Sequence, residues 1–250
     1  MFDTQAVKEA FGRAAPVYDR EAQLQKRVRG RCIALAEQCW PVGARILDAG
    51  CGTGQLAREA PHWHITGCDL AYGMCRVSSS PVINANVEAL PFADESFDGI
   101  FSSLMLQWAG DPEAAWREMA RMIKPGGRCV IATLADGTLG ELREAFAVLD
   151  AAPHVSDFLP AHAVLTQAGH AGLTLLAAEQ AQVVEYYPDA IALMRSLQAI
   201  GASNKAAARR RGMMTLRQLS RVDRAYERQF GQAQGLPATW QVLYLVLEKV

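Results

Sequence analysis

Over the first 134 residues, the spacing of the hydrophobic positions switches repeatedly between that of a strand and that of a helix. The sequence therefore predicts strands and helices in alternation. Five short apolar runs, each bounded by turn residues, predict strands at residues 44–47, 65–70, 82–85, 99–103 and 128–134. Stretches with helical spacing lie between them. Strands that alternate with helices are joined by right-handed crossovers, so the pattern predicts an α/β fold with a mainly parallel sheet.

The first 40 residues, which precede these strands, are predicted to be helical. Two helices are predicted within residues 4–39, with a break near Pro16, which a continuous helix would not tolerate. Phe11 and Tyr18 flank this break. The aromatic pair predicts either a cover over a bound ligand or an N-terminal clasp that packs only for stability.

The pattern after residue 134 predicts longer elements. Helices are predicted around 142–149, 162–169, 189–200 and 216–230, with a long strand over 173–187, a loop over 201–212 and a last strand over 239–247. The last strand is apolar on both faces, which is typical of a strand buried within a sheet. We therefore predict a single domain over residues 1–250. Its parts are an N-terminal cover (1–40), a core (41–135), further helices and a strand (136–187), a helical lid insertion (188–235) and the last strand (236–250).

Composition argues against several classes of protein. The 250 residues carry a net charge of −1, so there is no overall positive charge for binding nucleic acid. No apolar run approaches the roughly 18 residues of a membrane span, and the N-terminal residues do not resemble a signal peptide. Six cysteines without a C-x-x-C pair and five histidines without a metal-ligand pattern predict a cytoplasmic protein with reduced thiols and no metal.

The candidate chemistry begins where the first strand ends. Asp48 is followed by Gly50, Gly52 and Gly54, and then by a predicted helix. A glycine turn between a strand and a helix lets the backbone approach a nucleotide-like ligand. The spacing differs from the G-x-G-x-x-G of dinucleotide sites, and the Asp48 carboxylate suits a sulfonium or ammonium group better than a pyrophosphate. A turn that only packs the helix on the strand is the alternative.

Further side chains follow the next three strands. Asp69 comes at the end of the second strand, about 20 residues beyond the first glycine, where an acid binds the hydroxyls of a ribose. The carboxyl ends of parallel strands meet at one edge of a sheet, so we expect one binding site there. The predicted cofactor-binding residues are Asp48, Gly50, Cys51, Gly52, Gly54, Asp69, Leu70, Asn86, Val87, Ser103 and Leu104.

Two segments resemble motifs of the class I S-adenosylmethionine-dependent methyltransferases. Residues 48–54 read D-x-G-x-G-x-G, and residues 90–98 read L-P-F-x-D-x-S-F-D. The resemblance implies a Rossmann-like, seven-stranded, mainly parallel sheet with helices on both faces and an antiparallel last strand. It also implies S-adenosylmethionine as the cofactor and S-adenosylhomocysteine as the product, with Asp48 and the glycines at the methionine end and Asp69 at the ribose. Asn86 stands where this family carries an acid, and its carboxamide retains an acceptor and a donor for adenine.

Other segments resemble one methyltransferase family in particular. They read F-x-x-A-A-x-x-Y-D at 11–19, L-x-L-Q-W at 104–108, T-L-x-x-G-T-L-x-E-L at 133–142, F-L-P at 158–160 and M-R-S-L-x-x-I-G-A at 194–202. They resemble the malonyl-acyl-carrier-protein O-methyltransferases, which start the pimeloyl chain in biotin synthesis. The resemblance implies methylation of the free carboxylate of a malonyl thioester, with malonyl-acyl carrier protein as the partner. Methylation converts the charged carboxylate into a neutral ester, so that apolar enzyme sites do not have to desolvate a charge.

A carboxylate substrate is expected to lie beside a cation. An arginine fork holds a carboxylate through charge-assisted hydrogen bonds, and Arg195 is the first candidate, with Arg143 second. Gln107, Trp108 and Tyr18 are further predicted substrate-binding residues. A solvated position for Arg195 and a core-packing role for Trp108 are the alternatives. Because a carboxylate is already ionised at neutral pH, we predict no catalytic acid or base, and the alignment of the reactants supplies the catalysis.

A basic cluster, on which an acidic carrier protein could dock, consists of Lys205, Arg209, Arg210 and Arg211. A solvated charged loop is the alternative. The same cluster would suit a methyltransferase acting on RNA or DNA, against which the net charge argues. A third possibility, a scaffold protein that binds the cofactor without catalysis, conflicts with the intact Asp48 and Asp69. We expect a monomer that binds neither nucleic acid nor membrane.

Overall fold

The computed structural model describes residues 3–78, 80–204 and 214–250. Its strands are β1 (Arg45–Ala49), β2 (His64–Asp69), β3 (Val82–Asn84), β4 (Phe97–Ser103), β5 (Ile123–Leu134), β6 (Leu173–Tyr187) and β7 (Leu236–Lys249). Its helices are α1 (Thr4–Ala14), α2 (Tyr18–Glu21), α3 (Gln23–Ala36), α4 (Gln55–Glu59), α5 (Tyr72–Val77), α6 (Pro112–Met122), α7 (Gly140–Phe146), α8 (Ala161–His170), α9 (Ala190–Ala199) and α10 (Leu216–Phe230). A 3₁₀ helix spans Leu106–Trp108.

The described strands form one seven-stranded sheet in the order β3-β2-β1-β4-β5-β7-β6. Strands β1 to β5 pair in parallel. The last strand in the chain, β7, lies between β5 and β6 and is antiparallel to both. Val242, Leu243 and Leu245 on β7 are buried, since this strand has a covered face on each side of the sheet. The predicted seven-stranded, mainly parallel sheet with an antiparallel last strand is confirmed.

Apolar side chains form a separate core on each face of the sheet. Successive residues of a strand point to opposite faces, and Ile46 therefore belongs to one buried cluster while Leu47 belongs to the other. Helix α3 covers the Ile46 face with Val28, and α6 covers the Leu47 face with Trp116. The strand ends are thereby held in a fixed arrangement by packing from both sides.

The N-terminal segment contains one more helix than the sequence predicts. Helix α1 begins after Asp3, whose carboxylate accepts a hydrogen bond from the backbone N–H of Ala6 at 3.0 Å. The predicted break near Pro16 is present, and the short helix α2 lies between it and α3. The pattern did not separate α2 from α3, because a four-residue helix is too short to show a helical period.

Strand β5 begins five residues before its predicted start at residue 128. Pro125 and Gly126 are a typical turn pair just before that start, and Gly126 has a φ of 73°, but this turn lies inside the strand as an irregularity. Strand β4 pairs through Phe97 with Ile123 before the turn and through Gly99 with Arg128 after it. Pairing with β4 therefore extends β5 through a turn, although the local sequence predicts that the strand begins after this turn.

No helix within residues 3–78, 80–204 and 214–250 has both the length and the apolar character that crossing a membrane requires. All six cysteines have free thiols, and Cys32, Cys51, Cys68 and Cys129 are buried. Burial raises the pKa of Cys129 to about 12, so this thiol stays protonated and packs as an apolar group.

Candidate functional site

The glycine turn between β1 and α4 has the backbone conformation that its sequence requires. Gly50, Gly52 and Gly54 have φ values of 81°, 54° and 76°, in the left-handed region that favours glycine. A Cβ atom on Gly50 would lie 2.2 Å from Cγ of Met105. The backbone N–H groups of Gly50 and Cys51 both donate to the carbonyl of Cys68, each at 2.9 Å. The turn is therefore fixed against the end of β2.

Asp69, at the end of β2, is bound to the same turn. Its Oδ2 accepts from the backbone N–H of Gly52 at 2.9 Å, and its Oδ1 accepts from that of Ala71 at 2.7 Å. Burial raises the pKa of Asp69 to about 6, although both N–H donors oppose this shift. The carboxylate is therefore held in one orientation and lacks a neighbouring cation strong enough to offset its desolvation.

Asp48, at the end of β1, is a second buried carboxylate near the turn. Its residue surface is 4% exposed, and burial raises its pKa to about 7. The Arg29 guanidinium opposes this increase and Asp69 adds to it. Arg29 is itself bound through two nitrogens to Glu59, at 2.8 and 2.7 Å. Two incompletely neutralised carboxylates beside a glycine turn suit a cationic ligand.

The strand ends line one cavity, which we call the strand-tip cavity. The predicted cofactor-binding residues that line it are Gly50, Asp69, Leu70, Asn86, Val87 and Leu104, and Trp108, predicted to bind the substrate, lines it too. It is also lined by Thr4, Val7, Lys8, Phe11, Cys68, Ala71, Ala85, Glu88, Met105 and Ala109. Asp48, Cys51, Gly52, Gly54 and Ser103 are not among its lining residues. The side-chain carbonyl of Asn86 accepts from the backbone N–H of Glu88 at 3.1 Å, which fixes its carboxamide at the cavity wall.

Helix α1 forms one wall of this cavity, and the sequence predicted only part of that wall. The sequence predicted a cover from Phe11 and Tyr18, of which Phe11 lines the cavity and Tyr18 does not. It did not identify Thr4, Val7 and Lys8, which line the cavity with Phe11. Their positions along α1 repeat at helical spacing, and this is the signal that could have found them. The helix packs on α5 where two glycines meet, because a Cβ on Gly73 would lie 2.4 Å from the carbonyl oxygen of Gly12.

Tyr18 lies half-buried between the N-terminal helices and the glycine turn. A Cβ on Gly52 would lie 4.0 Å from Cε1 of Tyr18, and the rings of Tyr18 and Phe11 meet edge to face at a centroid distance of 6.4 Å. Burial and the Asp69 carboxylate raise the pKa of Tyr18 well above its usual value. The phenol is therefore neutral and contributes packing and a hydroxyl group next to the buried carboxylates.

A second cavity, which we call the inner cavity, adjoins the first. Phe11, Leu104 and Trp108 line both. The inner cavity has a volume of about 40 Å³ and is lined in addition by Leu24, Gln25, Gln107, Leu134, Leu139, Leu142, His154, Val155, Ser156, Phe158, Leu197, Ala202, Asn204 and Trp240. The carboxamide of Gln107 donates to the Leu104 carbonyl at 2.8 Å and accepts from the Thr133 hydroxyl at 3.1 Å.

Most of the inner cavity comes from segments that are far apart in the sequence. Sequence reasoning predicted Gln107 and Trp108 here and did not identify His154, Ser156 or Trp240. The His154 ring stacks on Phe146 at a centroid distance of 4.2 Å, and its Nε2 lies 2.8 Å from a carboxylate oxygen of Asp150. These residues come from separate segments of the chain, so local sequence contained no signal for their common position.

Neither predicted carboxylate-binding arginine lines the inner cavity. Arg195 is exposed on α9. Arg143 is exposed on α7, where it pairs with Asp157 and donates to the Ser156 carbonyl at 3.0 Å. Their role as carboxylate partners stays a prediction. The basic cluster of Lys205 and Arg209 to Arg211 lies outside the described residues, and among those that are described no group of three or more His, Cys, Asp or Glu side chains could hold a metal ion.

Comparison with known families and proteins agrees with this geometry. A family described as a methyltransferase domain matches residues 47–131. A malonyl-acyl-carrier-protein O-methyltransferase of Laribacter hongkongensis (strain HLHK9) is 37% identical over 97% of this chain and 88% of its own length. One of Yersinia pestis is 36% identical over 98% of this chain and 91% of its own length. The biotin biosynthesis bifunctional protein BioHC of Teredinibacter turnerae (strain ATCC 39867 / T7901) is 36% identical over 97% of this chain and 46% of its own length.

Solved structures with much lower sequence identity share the fold. The YcgJ protein of Bacillus subtilis superposes with a TM-score of 0.60 at 19% identity, covering 89% of this chain and 97% of its own. Geranyl diphosphate C-methyltransferase from Streptomyces coelicolor A3(2), solved with Mg²⁺, geranyl diphosphate and S-adenosylhomocysteine, superposes with a TM-score of 0.54 at 14% identity, covering 92% of this chain and 82% of its own. At these identities the likeness concerns the fold alone.

Proposed function

This chain belongs to the malonyl-acyl-carrier-protein O-methyltransferase family, and from that premise we propose the reaction that it catalyses. It transfers the methyl group of S-adenosylmethionine to the free carboxylate of malonyl-acyl carrier protein. The product is the methyl ester that primes pimeloyl chain synthesis for biotin. The observation that carries this proposal is the adjacency of two cavities, of which one has buried carboxylates at its glycine turn and the other is small and mainly apolar.

The residues at the strand ends fit the cofactor. Asp69 presents a fixed carboxylate in the strand-tip cavity, where it would bind the ribose hydroxyls. Asp48 and the glycine turn would hold the methionine end, and Asn86 would bind adenine. The raised pKa of Asp48 supports its assignment to the methionine end, because a cation beside a buried carboxylate offsets its desolvation. When bound, the cofactor supplies a methyl group that is activated by the positive sulfur.

The acceptor would approach through the inner cavity. Leu104, Phe11 and Trp108 border both cavities, so a group in one would face a group in the other across these side chains. Apolar walls exclude water from the space between them. Holding two reactants in line supplies about 7–11 kcal/mol of the barrier reduction, and a malonyl carboxylate is ionised at neutral pH. The chain therefore needs no proton acceptor at this position.

Mass spectrometry of the product tests the proposal. The protein is incubated with S-adenosylmethionine and malonyl-acyl carrier protein, and we expect the malonyl group to gain one methyl group as a base-labile ester. Acetyl-acyl carrier protein, which lacks the free carboxylate, is the matched control and should stay unchanged. An unmodified malonyl carrier, under conditions in which calorimetry detects cofactor binding, would refute the proposed reaction.

A further inference from the structure

An open groove, which we call the outer groove, adjoins the inner cavity at the protein surface. It has a volume of about 370 Å³ and is lined by Arg20, Glu21, Gln23, Leu24, Gln25, Glu185, Tyr186, Tyr187, Ser196, Leu197, Ile200 and Trp240. Leu24, Gln25, Leu197 and Trp240 line both spaces. These four residues therefore lie between the groove and the inner cavity, and we call them the neck. A substrate reaching the inner cavity from this side would have to pass between their side chains.

Two buried polar atoms at this neck have no hydrogen-bond partner among the described residues. They are Oε1 of Gln25, which is an acceptor, and the indole N–H of Trp240, which is a donor. Trp240 is only 4% exposed. A buried polar atom without a partner loses its hydrogen bonds to water and gains none in the protein, so such atoms are rare and call for an explanation. One acceptor and one donor at the same neck match the two polar atoms of an amide group.

The charges along the groove indicate which part of a substrate fits there. Arg20 pairs with the neighbouring Glu21, and Glu185 pairs with Arg27 from α3. The acidic and basic side chains thus compensate one another, and among the described residues that line the groove no cation is left unpaired for an anion. At the neck itself the lining is neutral. A free carboxylate would be desolvated there without compensation, whereas an uncharged chain containing amides would not.

The groove walls are held together by contacts between separate elements. Trp240 lies on β7 opposite Val183 of β6, and Gln25 lies in the first turn of α3. The hydroxyl of Tyr187 donates to Glu185 at 3.0 Å and lies 3.3 Å from the hydroxyl of Ser196 on α9. Strand β6 and helix α9 are therefore connected beside the neck, which fixes the width of the groove.

We propose that the outer groove and its neck bind the amide-containing arm that carries the malonyl thioester. The indole N–H of Trp240 donates to the carbonyl of the amide nearest the sulfur, and Oε1 of Gln25 accepts from that amide's N–H. The malonyl end then lies in the inner cavity and faces the strand-tip cavity. This inference rests on the proposed function and adds a binding site for the pantetheine-like arm, with Gln25 and Trp240 as its specificity-determining residues.

Two malonyl thioesters of different length test this assignment. Malonyl-N-acetylcysteamine contains the amide nearest the sulfur, and S-ethyl malonyl thioester lacks it. For Trp240→Phe and Gln25→Met we expect kcat/KM with the amide-containing thioester to fall about five- to tenfold more than with the S-ethyl thioester, which corresponds to one lost hydrogen bond in each variant. Wild-type protein should prefer the amide-containing thioester by a larger factor than either variant.

Trp63→Phe is the matched control for the tryptophan variant. The indole N–H of Trp63 is also buried and unpaired among the described residues, but Trp63 lines neither the inner cavity nor the outer groove. Any loss of kcat/KM in this control should be the same for both thioesters. Thermal unfolding and calorimetry with S-adenosylmethionine establish that each variant is folded and binds the cofactor.

The outcomes distinguish this inference from the proposed reaction. The assignment of the arm to this groove would be overturned if the Trp240 and Gln25 variants lost kcat/KM equally with both thioesters. It would also be overturned if they lost none with either thioester. If a variant does not fold, the wild-type preference between the two thioesters decides, and the absence of a preference also overturns it. If the wild-type protein methylates no malonyl thioester at all, the proposed function itself fails.

Discussion

The carboxylate of Asp69 accepts a hydrogen bond from the backbone N–H of Gly52, with 2.9 Å between Oδ2 and N. This bond connects the end of β2 to the glycine turn that follows β1. The second carboxylate oxygen is fixed by the N–H of Ala71 at 2.7 Å. One acidic side chain thus stabilises the turn and also lines the strand-tip cavity. Ligand binding and local structure are therefore coupled at this residue.

Replacing Asp69 by alanine should weaken S-adenosylmethionine binding by about 1–3 kcal/mol, because charge-assisted hydrogen bonds to the ligand are lost. Isothermal titration calorimetry measures this change. Asp157→Ala, at an exposed aspartate that pairs with Arg143 outside the strand-tip cavity, is the control and should leave the affinity unchanged. An unchanged affinity in the Asp69 variant would remove this residue from the cofactor site.

Asp48→Asn should change how the stability of the cofactor-free protein depends on pH. Burial raises the pKa of Asp48 from its ordinary 3.8 to about 7, with opposition from Arg29 and a contribution from Asp69. Between these values the folded state holds a proton that the unfolded state has released. The contribution of this group to stability is therefore present below about pH 4 and is lost as pH rises to 7.

The free energy of unfolding of Asp48→Asn, relative to wild type, should accordingly increase between pH 4 and pH 8. The increase should reach at most about 4 kcal/mol, since one pKa unit corresponds to about 1.4 kcal/mol. Urea unfolding of cofactor-free protein at several pH values measures it. Asp157→Asn, at an exposed position, should follow the wild-type curve. Parallel curves for Asp48→Asn and wild type would contradict the raised pKa.

Gly73→Ala should displace α1 from α5 and weaken cofactor binding about tenfold. The new Cβ would lie 2.4 Å from the backbone carbonyl of Gly12, so α1 must move, and with it the cavity wall formed by Thr4 and Phe11. Overpacking of this kind destabilises a fold by about 1–3 kcal/mol. Calorimetry gives the affinity and chemical denaturation gives the stability.

Gly30→Ala is the control for this substitution. Gly30 lies within α3, and nothing is found within 4 Å of a Cβ built there. It should therefore stabilise the helix by about 0.5–1 kcal/mol and leave cofactor affinity unchanged. If Gly73→Ala also preserved the affinity, the contact between α1 and α5 would have no part in forming the cofactor site.

Arg143→Ala should reduce turnover more than Arg195→Ala does. Arg143 donates to the carbonyl of Ser156, which lines the inner cavity, so its loss frees one wall of the acceptor site. Arg195 is exposed and lines neither the inner cavity nor the outer groove. Steady-state kinetics with malonyl-acyl carrier protein should give about a fivefold or greater loss of kcat/KM for Arg143→Ala, the equivalent of one hydrogen bond.

Both arginine variants should bind S-adenosylmethionine with wild-type affinity, which calorimetry checks. A loss of turnover in Arg195→Ala that exceeds the loss in Arg143→Ala would restore Arg195 as the partner of the malonyl carboxylate. Arg195 would then have to reach the acceptor in a conformation that differs from the present one.

The sequence by itself determined the sheet and the strand-end part of the candidate site. An apolar run, a glycine turn and an acid at a fixed spacing specify local backbone geometry, and parallel strands bring their carboxyl ends to one edge of the sheet. Asp69, Asn86 and Leu104 could therefore be predicted to lie together, and all three line the strand-tip cavity. The buried strand β7 was likewise predictable, because its apolar residues occupy both faces.

Only the tertiary structure decided which side chains line the inner cavity. Gln25 and Trp240 come from opposite ends of the chain, and they line the same cavity because α3 packs on the face of the sheet to which Trp240 of β7 belongs. The sequence likewise predicted that Arg195 and Arg143 bind a carboxylate; both are exposed on α9 and α7, and this role stays a prediction. Local periodicity identifies the buried face of a helix, whereas the direction of a side chain at its border depends on contacts with distant segments.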